Sequence, residues 1–175
     1  PTLLDWLERG MIDMAIVTNP QAGRMLTLQP LLGEPFALVS PRALKIGPIV
    51  SLSQLARIPL LMTSLHRSIV DAQLQPLGKQ LKIQAEVDSV DAIRELVLRG
   101  PWATIMPVSV FKESRASDQV VMSEISGVQL NRLLVLATPV QPRDNANIPV
   151  LQEMIEAEFT RLTLRGVFSF ATASS

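Results

Sequence analysis

The sequence predicts an α/β fold with mainly parallel sheets. Short apolar runs alternate along the chain with segments whose apolar residues recur at helical spacing. Met14, Ala15, Ile16 and Val17 form a continuous apolar run, typical of a strand that is covered on both faces. The 47% apolar content provides a packed core, and 175 residues suffice for one domain or two small lobes.

The first elements follow from local patterns. Residues 2–9 are predicted as a short helix, because three leucines share one face and Thr2 can cap its first turn. Residues 14–17 follow as a buried strand, and residues 26–32 and 35–40 as two further strands. A strand would precede the first helix in a complete βαβ unit, so we expect the sequence to begin inside that unit.

Strands and helices then alternate to the C-terminus. Ser51 can cap one helix, Gly100 ends another and Pro107 opens a third. The predicted helices lie at 51–56, 66–75, 90–99, 107–112 and 148–164, and the predicted strands at 60–62, 83–87, 103–106, 120–125 and 132–138. Asp88, Ser89 and Asp91 are interpreted as the cap of the helix at 90–99, and residues 166–175 as a frayed tail.

Composition excludes several classes of function. The chain has no cysteine and one histidine, so neither a thiolate metal site nor a two-histidine motif can form, and we expect no metal, cofactor or enzyme activity. Sixteen basic residues balance sixteen acidic ones, which argues against nucleic-acid binding by these residues themselves. No apolar stretch approaches the roughly 20 residues that a membrane crossing needs.

Five ordered segments resemble the effector-binding domain of LysR-type transcriptional regulators. They are LERGMIDMAIV, GEPFALVSP, SLSQLARIPLLMT, EVDSVDAIRELVLRGPWATIMP and LLVLATP. The resemblance implies two Rossmann-like lobes, arranged as in type 2 periplasmic binding proteins. One lobe would comprise residues 1–39 and 140–175, lacking its first strand, and the other residues 40–139.

The best candidate for ligand contact is the predicted strand-to-helix turn that contains Thr63, Ser64, His66 and Arg67. Backbone N–H groups at a helix start bind carboxylates and phosphates, so an acidic effector would fit there. The alternative interpretation is a helix cap with a solvated arginine.

Further candidates lie on other strands. Thr18 and Asn19 follow a predicted strand at the end where ligands of open α/β sheets collect, and they equally suit a plain turn. The resemblance places Trp102, Thr104 and Pro107 on the wall of a cleft. Trp102 could instead be a core aromatic or lie at a subunit contact.

The predicted function is therefore the effector-sensing and oligomerising part of a cytoplasmic LysR-type regulator. A small anionic organic molecule would bind between the lobes, and DNA would be bound by a winged helix-turn-helix N-terminal to these residues. The resemblance also implies a homodimer or homotetramer, with no membrane association. The alternative is the solute-binding protein of a transporter, which shares the architecture.

Overall fold

The computed structural model describes residues 2–21 and 25–170. Its contacts divide the chain into two compact units. Unit 1 contains the residues up to Gly33 together with Arg132–Arg165, and unit 2 contains Glu34–Asn131 together with the residues from Gly166. The chain thus changes unit six to eight residues earlier than the predicted boundaries at residues 39 and 139. Residues from 166 on, which were expected in the first lobe, group with unit 2.

The described helices and strands largely follow the predicted alternation. The strand at Ile49–Ser51 is not predicted, and the helix predicted at 107–112 is a 3-10 helix at Val108–Phe111 that leads into an α-helix at Lys112–Ala116. The helices are α1 (Leu3–Glu8), α2 (Leu52–Leu55), α3 (Ser64–Leu74), α4 (Val90–Arg99), α5 (Lys112–Ala116) and α6 (Asn147–Leu164). The strands are β1 (Ala15–Thr18), β2 (Leu26–Pro41), β3 (Ile49–Ser51), β4 (Leu60–Met62), β5 (Ala85–Glu86), β6 (Ala103–Pro107), β7 (Val120–Ser126) and β8 (Asn131–Pro139). No described helix combines the length and apolar character that a membrane crossing needs.

Unit 1 is built on an antiparallel pair, with Ala15 of β1 opposite Ala137 of β8. Helix α1 begins with the predicted cap, in which the Thr2 hydroxyl accepts the Asp5 N–H and the Asp5 carboxylate accepts the Thr2 N–H. Leu7 packs with both alanines in a small core. The prediction that β1 is covered on both faces is wrong, because Ile16 is 41% exposed.

The long helix α6 also differs from its predicted burial. Among its residues only Ile148 is buried, whereas Leu151 and Met154 are 46% and 63% exposed. Its amphipathic pattern therefore predicted the helix and its bounds, but not the extent of its packing.

Unit 2 holds a mixed sheet, so the prediction of mainly parallel pairing is wrong. β4 lies between β5 and β6 and is parallel to both. β2 runs antiparallel to β6 on one side and to β7 on the other, and β3 pairs in parallel with β7.

A single strand, β2, replaces the two strands predicted around Gly33. Its side chains alternate between two apolar clusters of unit 2. Phe36 and Leu38 belong to the first cluster, which contains residues of α3, and Ala37 and Val39 belong to the second, which contains residues of α4. The two faces of this sheet are thus covered by different helices, α3 on one and α4 on the other.

Candidate functional site

The predicted turn follows β4 and opens α3. Thr63 is the N-cap, and its hydroxyl accepts the N–H of His66 at 3.0 Å. The helix begins at Ser64, two residues earlier than predicted, because the threonine provides the cap. Thr63 is 7% exposed and Ser64 is exposed. Of these two residues, Ser64 is the one that lies at the surface.

A carboxylate occupies the first turn of α3. Asp88 accepts the Ser64 N–H at 2.6 Å through Oδ1 and the Ser64 hydroxyl at 2.9 Å through Oδ2. These hydrogen bonds, first the one from the backbone and then the one from the hydroxyl, lower the pKa of Asp88. The anion-binding groups predicted at this helix start therefore already hold an anion from the protein itself.

Strand pairing brings Asp88 to this position. Met62 of β4 lies beside Glu86 of β5 in a parallel register, and the Val87 N–H donates to the Met62 carbonyl at 2.9 Å. The residues after each strand, Ser64 and Asp88, therefore meet at the same edge of the sheet. The interpretation of Asp88 as part of the α4 cap is wrong, because the Ser89 hydroxyl is the group that caps α4.

His66 and Arg67 have different surroundings. His66 is 5% exposed, and its ring lies edge-on to Phe36 with centroids 5.8 Å apart. Arg67 is half-buried and forms ion pairs with Glu86 at 2.9 Å and Asp71 at 3.5 Å. The His66 imidazole is thus part of the packed core. The Arg67 guanidinium is a cation three residues after Ser64 along the chain.

Three candidates lie on or beside β6. Thr104 is fully buried opposite Leu61 of β4, and its hydroxyl has no hydrogen-bond partner among the described residues. Pro107 ends β6 opposite Phe36 and is buried. Trp102 is half-buried against the second apolar cluster, which favours the core interpretation of its ring.

Thr18 and Asn19 lie in unit 1, where β1 ends. Asn19 has a positive φ of 46°, which asparagine tolerates better than most residues. Its N–H donates to the Leu133 carbonyl at 2.9 Å, and its Oδ1 accepts the Leu133 N–H at 2.7 Å. These bonds join the end of β1 to β8, so Asn19 has a structural role whether or not it also contacts a ligand.

Unit 2 therefore gathers several of the candidate residues, together with Asp88, at the carboxyl ends of its parallel strands. Thr63 and Ser64 follow β4, Asp88 follows β5 by two residues, and Pro107 is the last residue of β6. Sequence reasoning missed the contribution of Asp88, and only the pairing of β4 with β5 reveals it. In the part of the chain that the structure describes, no three His, Asp or Glu residues are grouped as metal ligands.

Comparison with known proteins gives the family. The model of the LysR substrate binding domain matches residues 1–160, and the chain belongs to this family. A probable nitrogen assimilation transcriptional activator of Synechococcus elongatus is 25% identical over 148 residues, which are 76% of this chain and 46% of that protein. This chain thus spans about half the length of that curated relative.

Solved structures show the same fold. The CcmR regulatory domain of Synechocystis PCC6803, in complex with 2-PG, has a TM-score of 0.76 at 16% identity, covering 91% of this chain and 79% of that one. The effector binding domain of QuiR, in complex with shikimate, has a TM-score of 0.73 at 18% identity, covering 91% and 77%. The chain has the mixed α/β, periplasmic-binding-protein-like fold of these domains, and its family is that of regulators' effector-sensing domains rather than of transporters.

Proposed function

We propose that this chain senses a small organic molecule and thereby controls a LysR-type transcriptional regulator. The main observation in support of this proposal is that Thr63, Ser64 and Asp88 lie together at the carboxyl ends of adjacent parallel strands. Ligands of open α/β sheets bind at such edges. The relatives CcmR and QuiR were solved with 2-PG and shikimate, which supports a small-molecule effector.

The candidate residues of each unit, taken by itself, are proposed as ligand contacts. In unit 2 these are Thr63, Ser64 and Arg67, with Trp102, Thr104 and Pro107 on the wall. In unit 1 they are Thr18 and Asn19. His66 is buried against Phe36, so it would support the turn from the side of the core.

We propose an anionic effector, and Asp88 determines how it can bind. Arg67 supplies a cation near the helix start, but the Asp88 carboxylate already accepts both Ser64 donors. An effector carboxylate or phosphate would therefore have to displace Asp88 from the Ser64 N–H. Displacement would couple ligand binding to the β5–α4 connection, where Asp88 lies.

The proposed mechanism is a population shift without catalysis. The effector would bind one conformation of the regulator more tightly than another, and this difference in affinity is what can alter a DNA-bound state. DNA contact would come from an N-terminal winged helix-turn-helix, in a cytoplasmic homodimer or homotetramer. The balanced charge of the present residues supports assigning DNA binding to another part of the protein.

A thermal-shift screen of this chain against small metabolites tests the proposal. A ligand that binds only the folded form raises the melting temperature by mass action. We expect small organic anions among the stabilising compounds, with weaker binding to the Thr63→Ala and Ser64→Ala variants in a titration.

Ser68→Ala is the matched control, because Ser68 is exposed on the same helix one turn later. Equal affinity of the wild-type chain and both folded turn variants would remove Thr63 and Ser64 from the binding site. In the full-length regulator, the same variants should weaken the effector response while DNA binding persists.

A further inference from the structure

A cavity of unit 2 lies beside the loop that leads from β2 to β3. It has a volume of about 300 Å³, near the lower end of the range for sites that bind small molecules, and all of its lining residues belong to unit 2. Its wall combines four apolar side chains with the polar side chains of Lys45, Gln54 and Arg57. Thr63 and Ser64 do not line it, so the cavity is separate from the candidate site at the start of α3.

The apolar part of the cavity is continuous with the core. Val50 is 1% exposed and belongs to the first apolar cluster of unit 2, and Ile46 and Ile58 are half-buried and pack against that cluster. Ile49, the first residue of β3, also lines the cavity and is 62% exposed. The cavity therefore offers a ligand an apolar surface that is already formed, and covering this surface favours binding.

Two cations line the same cavity. Lys45 and Arg57 are both exposed, and in the part of the chain that the structure describes neither forms an ion pair. Arg42, Arg67 and Arg94 of the same unit each lie beside a carboxylate. No described carboxylate lines the cavity. Its positive charge is therefore available to an anion that comes from outside the chain.

The loop that contains Lys45 is held in one conformation. Lys45 has a positive φ of 54°, which a lysine adopts less readily than a glycine or an asparagine. Two hydrogen bonds fasten the following residues to β7, because the Ser123 hydroxyl donates to the Gly47 carbonyl at 2.5 Å and the Glu124 N–H donates to the Pro48 carbonyl at 2.8 Å. A wall whose backbone is already ordered costs less to order when a ligand binds.

Gln54 adds a neutral donor to the cavity. Its Oε1 accepts the Ser51 N–H at 2.8 Å in the cap of α2, so the amide NH2 group is the end that can donate to a ligand. Arg57 can donate two parallel hydrogen bonds to one carboxylate, and Lys45 donates from a compact ammonium. These three side chains therefore favour a carboxylate over a neutral group.

We propose that this cavity is a second ligand site, which takes a small organic anion with an apolar body. The carboxylate accepts hydrogen bonds from Lys45, Gln54 and Arg57, and the apolar body covers Ile46 and Ile58. Ile58 precedes β4 whereas the candidate turn follows it, so the two sites lie at opposite ends of this strand. The inference does not depend on the proposed effector.

Fluorine NMR titration of this chain with para-fluorobenzoate tests the site, because the relaxation of the fluorine signal reports binding to the protein. The Lys45→Gln/Arg57→Gln variant should raise the Kd about tenfold, since it removes both charged donors. Lys79→Gln/Lys82→Gln is the matched control. It removes the same charge from two exposed lysines of unit 2 that do not line the cavity, and its Kd should equal that of wild type.

A neutral probe and an apolar substitution test the two parts of the cavity separately. para-Fluorobenzamide has nearly the same shape without the charge, so it should bind about tenfold more weakly than the carboxylate and respond little to Lys45→Gln/Arg57→Gln. Ile46→Ala keeps both cations and removes apolar contact, so it should raise the Kd of both probes. Inorganic phosphate leaves the apolar side chains uncovered, so it should displace para-fluorobenzoate only weakly.

Three results would overturn the proposal, once urea unfolding has established that each variant is folded. The first is equal affinity of wild type and Lys45→Gln/Arg57→Gln, or an equal loss in the lysine control. The second is a loss of affinity in Ser64→Ala without one in Lys45→Gln/Arg57→Gln, which would place the probe at the start of α3. The third is no measurable binding of para-fluorobenzoate at millimolar concentrations.

Discussion

Ser64 donates two hydrogen bonds to Asp88, one from its backbone N–H and one from its hydroxyl, across 24 residues of sequence. The pair joins the start of α3 to the segment between β5 and α4. A carboxylate at this end of a helix is favoured by the helix dipole and by the free N–H groups of the first turn. The same groups would receive an anionic ligand, so Asp88 and the ligand compete for them.

Substitution of Asp88 by asparagine should increase the affinity for an anionic effector relative to a neutral one. The variant removes the competing negative charge while keeping a side chain of the same shape. Isothermal titration with a charged effector from the screen and a neutral analogue measures the change. An unchanged ratio of the two affinities would show that the effector does not approach Ser64.

Asp88 should also make folding stability depend on pH in the acid range. Its pKa is lowered in the folded chain, so its contribution to stability is complete above the unfolded value of about 3.9 and is lost as pH falls through the folded pKa. The urea midpoint of Asp88→Asn should therefore lie below that of wild type at pH 7, and the difference should shrink towards pH 3. Asp144→Asn, in the exposed loop before α6, is the matched control.

Thr63→Ala should lower the free energy of unfolding by about 1 kcal/mol, because the His66 N–H loses its cap. Thr63→Ser keeps the hydroxyl and should lose less. Urea unfolding of the three proteins gives the order. If serine and alanine were equally destabilising, the loss would come from the threonine methyl group rather than from the cap.

Asn19 has a positive φ and also bonds through its side chain, and two substitutions can separate these contributions to stability. Asn19→Gly keeps the positive φ but loses the side-chain bond to the Leu133 N–H, and Asn19→Ala loses both. We expect stability to fall in the order wild type, glycine, alanine, with steps of about 1 kcal/mol each. Chemical denaturation measures the free energy of unfolding of the three proteins. If Asn19→Ala were more stable than Asn19→Gly, the positive φ at this position would not be what limits stability.

Thr104→Val should leave stability unchanged or raise it by about 1 kcal/mol. The buried hydroxyl of Thr104 has no partner among the described residues, and valine has nearly the same shape without the cost of burying that group. If Thr104 also contacts the effector, the variant should bind it more weakly while melting at the same or a higher temperature. A drop in melting temperature would mean that the hydroxyl has a partner, such as a buried water.

Local signals in the sequence predicted much of the fold. The bounds of α4 match residues 90–99, and the caps at Thr2 and Ser51 are confirmed, because caps and periodicity depend on residues within one turn. The pairing of Ser64 with Asp88 depends on the register of β4 and β5, which no local pattern specifies. Gly33 was predicted to divide two strands, yet extended backbone suits glycine too, and β2 continues through it.

The sixteen continuous residues of β2 have a consequence for how sequences of this kind can change. Side chains alternate along a strand with a period of two, so adding or deleting one residue near Gly33 would turn Phe36 and Leu38 towards the cluster that now holds Ala37 and Val39. Length changes should therefore be tolerated in the exposed loop at 140–146 and rejected within β2. A library of single-residue insertions scored for soluble expression would reveal this contrast directly.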